Sequence, residues 1–427
     1  MQHSIDKLPL GESAEAMTRA VEGCVHCGFC LPVCPTYREL GEEMDSPRGR
    51  IFLMKEALEG SISFADAAPY VDRCLGCLAC EPACPSGVEY HRLLHPYREL
   101  ASGAGESWLD RLRQRLMHAV MPSPRLFRAA LGLARWSAPL APMVPARWRH
   151  MLQWAGETTV PPIDPLPELV PASGSLRARV GLLTGCVQSV LAPSIAVATA
   201  RVLARNGVDV VIPRSQGCCG SLALHEGRLG EARRHAGRLV DRLPADVDLW
   251  VTTAAGCGSG IAEYADLFAG RGGAGVAVAF AERVIDAHVF LADLGWAEQP
   301  SLPSATRVAY QDACHLLHAQ GIADPPRDLL RSVGDLELVE IGDDGACCGS
   351  AGTYNLQQPE LAAELGRSKG AAILAREPAA VVSGNIGCIV QIGRALRQAG
   401  SAVPVLHTME LLDAAYRGEF DRLRAQS

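Results

Sequence analysis

No run of eighteen consecutive apolar residues occurs in this 427-residue sequence, which excludes a transmembrane helix. The most apolar stretch, 129–148, is broken by Arg135, Arg147, Pro139, Pro142 and Pro145. The opening MQHSIDKLPL lacks the apolar stretch of a secretory signal, so a cytoplasmic protein is expected, with membrane attachment only peripheral and through partners. Basic residues are in deficit, 40 against 47 acidic, and a net charge of −7 argues against phosphate-driven nucleic-acid binding. No G-x-G-x-x-G opens a helix after a strand and no P-loop lysine occurs, so no nucleotide fingerprint is present. The glycines at 270–275 read as a loop.

The chain has 48% apolar and 20% charged residues, the balance of a globular protein, and is long enough for two or three domains. Gly and Pro together form about a sixth of it, which suits an α/β protein rich in turns. Sixteen cysteines are far more than a reduced cytosolic chain needs for packing, and disulfides are the wrong expectation there. Metal or redox chemistry remains.

Eight cysteines lie between 24 and 84 and eight between 186 and 388. Cys24, Cys27, Cys30 and Cys34 are spaced C-x2-C-x2-C-x3-C-P, and Cys74, Cys77, Cys80 and Cys84 repeat that spacing. Structural zinc favours two separated C-x2-4-C pairs, whereas this run is that of a [4Fe–4S] ferredoxin. In paired motifs the fourth cysteine serves the other cluster. The expected ligand sets are therefore Cys24, Cys27, Cys30 and Cys84 for one cluster, and Cys74, Cys77, Cys80 and Cys34 for the other. Between the motifs, Ser46 reads as an N-cap with Pro47 at the first helical position, and 90–100 also reads as helical. His26 is expected at the surface or behind a ligand, and Arg48 and Arg50 on a solvated helix face.

The second group is duplicated. Cys186, Cys218, Cys219 and Cys257 recur as Cys314, Cys347, Cys348 and Cys388, and Gly-Cys-Cys-Gly-Ser at 217–221 answers Ala-Cys-Cys-Gly-Ser at 346–350. Each follows a β-branched run: 179–184, 208–212 and 247–251, then 308–310, 336–341 and 379–383. Helical stretches such as 193–206, closed by Gly207, lie between, so parallel sheets with cysteines at the strand ends are expected. Two readings stand for these possible further sites: additional iron–sulfur clusters, or a structural cysteine set without metal. His315, His318, Asp312 and Glu226 are either proton carriers or ligands, or ordinary polar residues. The expected fold is α+α/β: a helical two-cluster ferredoxin domain over 1–104, a helical and Pro-rich connector over 105–171, and duplicated α/β cysteine-rich halves over 172–300 and 301–427. The connector carries arginine-rich polar faces and aliphatic runs such as Leu109, Leu112 and Leu116.

The Cys-x31-Cys-Cys-Gly and Cys-x32-Cys-Cys-Gly spacings resemble the CCG domain of heterodisulfide reductase-like proteins. The fullest form of that domain implies five cysteines around a noncubane cluster. Here Cys257-Gly-Ser-Gly260 and Cys388-Ile-Val-Gln391 each supply one cysteine where that form has two. Further stretches are Cys24-Val-His-Cys-Gly-Phe-Cys30, Pro35-Thr-Tyr37, Asp45-Ser-Pro-Arg-Gly-Arg-Ile51, Cys84-Pro-Ser-Gly-Val88, Cys347-Cys-Gly-Ser-Ala-Gly-Thr-Tyr354 and Asn385-Ile-Gly-Cys388. With the module order, they resemble the family of iron–sulfur subunits of glycolate oxidase (glycolate dehydrogenase) across essentially the whole chain. That resemblance implies a helical ferredoxin and two [4Fe–4S] clusters. It also implies FAD-containing partner subunits that oxidise glycolate to glyoxylate, and a quinone-type acceptor. Oxidising a hydroxy acid needs a hydride acceptor, normally a flavin, whereas iron–sulfur clusters carry single electrons, so no catalytic residue for that step is expected here. Iron–sulfur subunits of lactate utilisation and glycerol-3-phosphate dehydrogenase share the layout, and a heterodisulfide reductase-like catalytic role is a further alternative.

Overall fold

The structure, a computed structural model, describes residues 3–6, 11, 13–105, 107–158, 160–162, 166–244 and 246–421. Among the described residues, five α-helices and a short 3-10 turn (Glu43–Asp45) build the N-terminal module: α1 (Ala14–Gly23), α2 (Pro35–Leu40), α3 (Pro47–Leu58), α4 (Phe64–Asp72) and α5 (His91–Leu100). Ser46 caps α3 by accepting from the Gly49 N–H, with Pro47 at the first helical position. Ser63 and Asp66 form a capping box at the start of α4. Met17, Val21, Met54, Leu93, Leu94 and Tyr97 are fully buried between these helices.

The connector contains α6 (Trp108–Val120), α7 (Pro124–Ser137) and α8 (Ala146–Glu157). Met117, Met121, Phe127, Leu131 and Trp154 pack with Val190 and Leu356 of the two repeats. The sequence reads the Leu109, Leu112 and Leu116 run as an ordinary amphipathic face, yet all three are exposed while Arg113 and His118 are buried. Arg113 is held by the Leu356 carbonyl and His118 by Glu226 at 2.6 Å, so polar anchoring sets the orientation of α6.

The repeats form two sheets. The strands are β1 (Leu169–Val170), β2 (Ala178–Leu183), β3 (Val208–Val211), β4 (Leu249–Thr252) and β5 (Val284–Asp286), then β6 (Ser301–Gln311), β7 (Gly334–Glu340), β8 (Ala380–Ser383) and β9 (Val405–His407). The orders are β1-β3-β2-β4-β5 and β7-β6-β8-β9, parallel throughout except for the antiparallel edge pair β1–β3. Omitting β1 leaves one topology used twice, the structural counterpart of the sequence repeat. The short strands β5 and β9 are not legible as β-branched runs. β1 falls in the stretch read as a Pro-rich linker, of which 163–165 lie outside the described residues. Gly207, at φ +82°, closes the helix Ser194–Arg205 as expected. Residues 270–273 are a turn, but Ala274 and Gly275 already belong to the helix Ala274–Ala281.

The repeats share one core. Val180, Leu182, Val202, Leu203 and Val210 cluster with Val308, Tyr310, Leu330, Val382, Met409 and Leu411. The helix Ser194–Arg205, between β2 and β3, packs on the helix after β9 (Thr408–Arg417). The helix after β5 (Ala287–Leu294) packs on the one after β6 (Asp324–Arg331). This exchange is that of a pseudo-two-fold, and it turns both sets of strand ends toward a common cleft.

Candidate cluster sites

Both N-terminal motifs are built turn for turn. The Cys24 N–H donates to Val21 O at the end of α1, and the Cys74 N–H to Val71 O at the end of α4. Cys34 and Cys84 each close a turn, onto Leu31 O and Glu81 O. The residues flanking each second cysteine are left-handed: His26 (φ 56°) and Gly28 (φ 90°), Gly76 (φ 63°) and Leu78 (φ 60°). For Leu78 and His26 this conformation is strained, and such alternation aims successive N–H groups inward, a concavity suited to an anionic group.

Two cavities result. One, of about 420 Å³, is lined by Cys24, Cys27, Cys30 and Cys84, with Cys80, Tyr90 and Arg48 at its wall. The other, of about 330 Å³, is lined by Cys74, Cys77, Cys80 and Cys34, with Arg50 and Tyr90. His26 is exposed. Arg48 is half-buried, bonded to Glu43 and the His26 carbonyl. Arg50 is not on a solvated face: it is 1% exposed, with Nη2 3.1 Å from Asp45 Oδ1 and Nη1 3.8 Å from Cys34 Sγ. The expectation of a solvated helix face fails for Arg50 because α3 turns that side against α4, where the Tyr70 carbonyl accepts from Nε at 2.7 Å.

Burial raises the thiol pKa of Cys77 and Cys80, and lifts that of Cys30 to about 11. Burial also acts to raise Cys74, but Arg50, Arg98, the Gly76 N–H and the Tyr90 hydroxyl outweigh it, and its pKa falls. Thiols whose pKa burial raises, as at Cys30, Cys77 and Cys80, hold ionised sulfur only with a cation among them. No three His, Cys, Asp or Glu side chains among the described residues converge as they would on a single ion. Sulfurs spread around a cavity fit a multi-iron cluster better than one zinc ion.

The duplicated cysteines line one cleft of about 1150 Å³ between the repeats, roofed by Met121 and Trp154 of the connector. Within each set the thiols interact in the same series, Cys186–Cys218–Cys219–Cys257 and Cys314–Cys347–Cys348–Cys388. Cys186 Sγ and Cys218 Sγ are 3.4 Å apart. Cys257 and Cys388 are each the third residue of a helix, Ala255–Ala262 and Ile386–Gln398, yet their contacts with the Cys219 and Cys348 thiols, together with burial, push both pKa values up. Gly220 and Gly349, both at φ +86°, follow the vicinal pairs, and a Cβ on either would meet the Ala232 or Ala362 carbonyl at 2.6 or 2.7 Å.

His315 bridges Ser259 Oγ and the Gly76 carbonyl, at 3.0 Å each, tying both repeats to the second motif. Among the described residues His318 reaches only the Gly345 carbonyl, at 3.4 Å, and Asp312 is paired with Arg327. Glu226 joins His118 to Thr353. Sequence patterns did not single out Arg98, whose Nη1 donates to His225 O at 2.6 Å and Nη2 to Cys74 O at 2.6 Å, nor Tyr354, whose hydroxyl donates to Arg73 O. Nor did they mark His225, whose ring lies 4.5 Å from that of His315. Each meets a segment far away in sequence, so no local spacing announces it.

Residues 20–88 match the 4Fe-4S dicluster domain family, and residues 180–262 and 308–393 the cysteine-rich domain family. The chain is 35% identical over 415 residues to the glycolate oxidase iron-sulfur subunit of Escherichia coli, spanning 95% of this chain and 96% of that one. It is 33% identical over 420 residues to a probable glycolate oxidase iron-sulfur subunit of Bacillus subtilis, spanning 91% and 92%. Lactate utilization protein A of Oceanobacillus iheyensis is 28% identical over 241 residues, spanning 56% of this chain and 98% of its own.

Proposed function

This chain belongs to the family of glycolate oxidase iron–sulfur subunits, and we propose that it carries electrons from FAD-containing partner subunits, which oxidise glycolate to glyoxylate, to a quinone-type acceptor. An iron–sulfur, electron-transferring role within an oxidoreductase is common ground for the family; the flavoprotein donor and the acceptor are our reading. The observation that carries it is the contiguity of the cysteine-lined cavities. Cys80 and Tyr90 line both N-terminal cavities. Leu75 and Cys77 then pack with Cys347 and Cys314 at the edge of the inter-repeat cleft. One line of sulfur thus runs from Cys27, exposed at the surface, to the cleft.

We assign one [4Fe–4S] cluster to Cys24, Cys27, Cys30 and Cys84 and the other to Cys74, Cys77, Cys80 and Cys34, in keeping with the two cavity linings. When bound, such clusters supply one-electron acceptance and donation. The protein's own part is to hold the sulfurs, to set Arg50, Tyr90 and inward N–H groups against them, and to keep water out with Leu75, Leu78 and Val88. The boundaries near 104, 171 and 300 divide this carrier from the connector and the two halves. The duplicated cysteines form the acceptor end, with or without metal of their own. Nearly full-length similarity to the two glycolate oxidase relatives, against about half for the lactate protein, favours glycolate.

Cys27→Ser in the assembled complex tests the reading. Loss of about four irons per chain, with flavin still reduced by glycolate but acceptor reduction lost, is the expected outcome. Undiminished acceptor reduction would overturn it.

A further inference from the structure

Eight of the sixteen exposed large hydrophobic side chains among the described residues lie between Trp108 and Met143, in the connector. Trp108 is 66% exposed, Leu133 65%, Trp136 78% and Met143 82%. On α7 the opposite side is apolar too, with Phe127, Leu131 and Ala134 buried against the repeats. A helix apolar on its inner and its outer side has half its surface unaccounted for in water. Scattered exposed hydrophobics need no explanation, but a concentration on successive helices does.

Charge tells what covers it. From Trp108 to His150 the sequence has eight arginines and one acidic residue, Asp110, in a chain whose net charge is −7. Arg111, Arg115, Arg125 and Arg135 are exposed and pair with no carboxylate among the described residues. They alternate with the outward Trp and Leu side chains of α6 and α7. Arginines beside an apolar face with indole rings match the boundary between anionic phosphate headgroups and acyl chains.

We infer that α6 and α7 bind the surface of an anionic phospholipid bilayer directly, without a partner subunit and without crossing it. No helix among the described residues is long and apolar enough to cross a membrane. Attachment is by shallow insertion of Trp108, Leu126, Leu133 and Trp136 with arginines on phosphate. The inference goes beyond the electron-transfer reading and stands or falls apart from it.

Vesicle flotation of the full chain, with its iron loaded and no partner subunit present, tests it. Flotation is expected with phosphatidylglycerol–phosphatidylcholine vesicles, not with phosphatidylcholine alone, and reversal by high salt is expected. Leu133→Glu with Trp136→Glu should lower partitioning at least about tenfold. Arg115→Gln should lower it about fivefold, and Arg125→Gln likewise. An unchanged iron content and visible spectrum certify that each variant is folded. Failure of the parent protein to float with anionic vesicles overturns the inference, and so does flotation that the variants leave unchanged. Variants that lose the FAD-containing subunits while the parent binds no vesicle would make this face a protein interface, and that also overturns it.

Discussion

Replacing Arg50 by Met is the sharpest test of how the second cysteine cavity is tuned. Arg50 and Asp45 are both 1% exposed, and the guanidinium lies 3.8 Å from Cys34 Sγ. Removing one partner of a buried pair usually costs about 3–5 kcal/mol. Asp45, however, keeps a bidentate bond from Arg73, at 2.9 and 2.8 Å, and only the Tyr70 carbonyl loses its donor outright. The expected loss is therefore about 2–3 kcal/mol. The electrostatic effect is larger relative to its background. A positive charge about 6 Å from an added electron, at an effective dielectric constant of about 20, is worth about 3 kcal/mol, or on the order of 100 mV for one electron. An EPR-monitored redox titration should thus find one midpoint shifted down by that order, with iron content retained and Arg50→Lys recovering much of it. Arg48→Gln, at a half-exposed site already neutralised by Glu43 at 2.6 Å, should shift its midpoint far less. A midpoint in Arg50→Met within about 20 mV of the parent, or above it, would refute the reasoning.

Gly349→Ala should cost about 1–3 kcal/mol, since Gly349 is left-handed and the new Cβ would meet the Ala362 carbonyl at 2.7 Å; calorimetry that finds an unchanged melting temperature would contradict this. His407 is fully buried, its Nδ1 accepting from the Met409 N–H at 3.1 Å and its Nε2–H donating to Thr253 O at 2.8 Å. Burial, with His288 nearby, lowers its pKa from 6.5 to about 3. The neutral ring belongs to the folded state, so its contribution is intact above pH 6.5 and declines by up to about 1.4 kcal/mol per pH unit below, toward pH 3. Urea midpoints measured between about pH 5 and pH 7.5 should show this slope, and His407→Gln should flatten it.

Much of the fold was legible because its signals are local. Ser46-Pro47 before an apolar run starts a helix, Gly207 ends one, and β-branched runs before each duplicated cysteine become β2, β3, β4, β6, β7 and β8. The strands β5 and β9 were not legible, being three residues each, and β1 hides among prolines because an edge strand tolerates them. The arginines show the same divide. Arg48 and Arg50 look alike in sequence, yet a two-residue step around α3 puts one at the surface and the other in the core.

By itself the sequence determined the cysteine motifs, their duplication and the alternation of strands with helices, all of which rest on spacings within a turn, a strand or a repeat. Only the tertiary structure decided that both duplicated sets face one cleft. It also decided that Arg50 sits against sulfur and that the connector turns Leu109, Leu112 and Leu116 outward. Those outcomes join surfaces up to some hundreds of residues apart, and they depend on how helices and sheets pack rather than on any pattern along the chain.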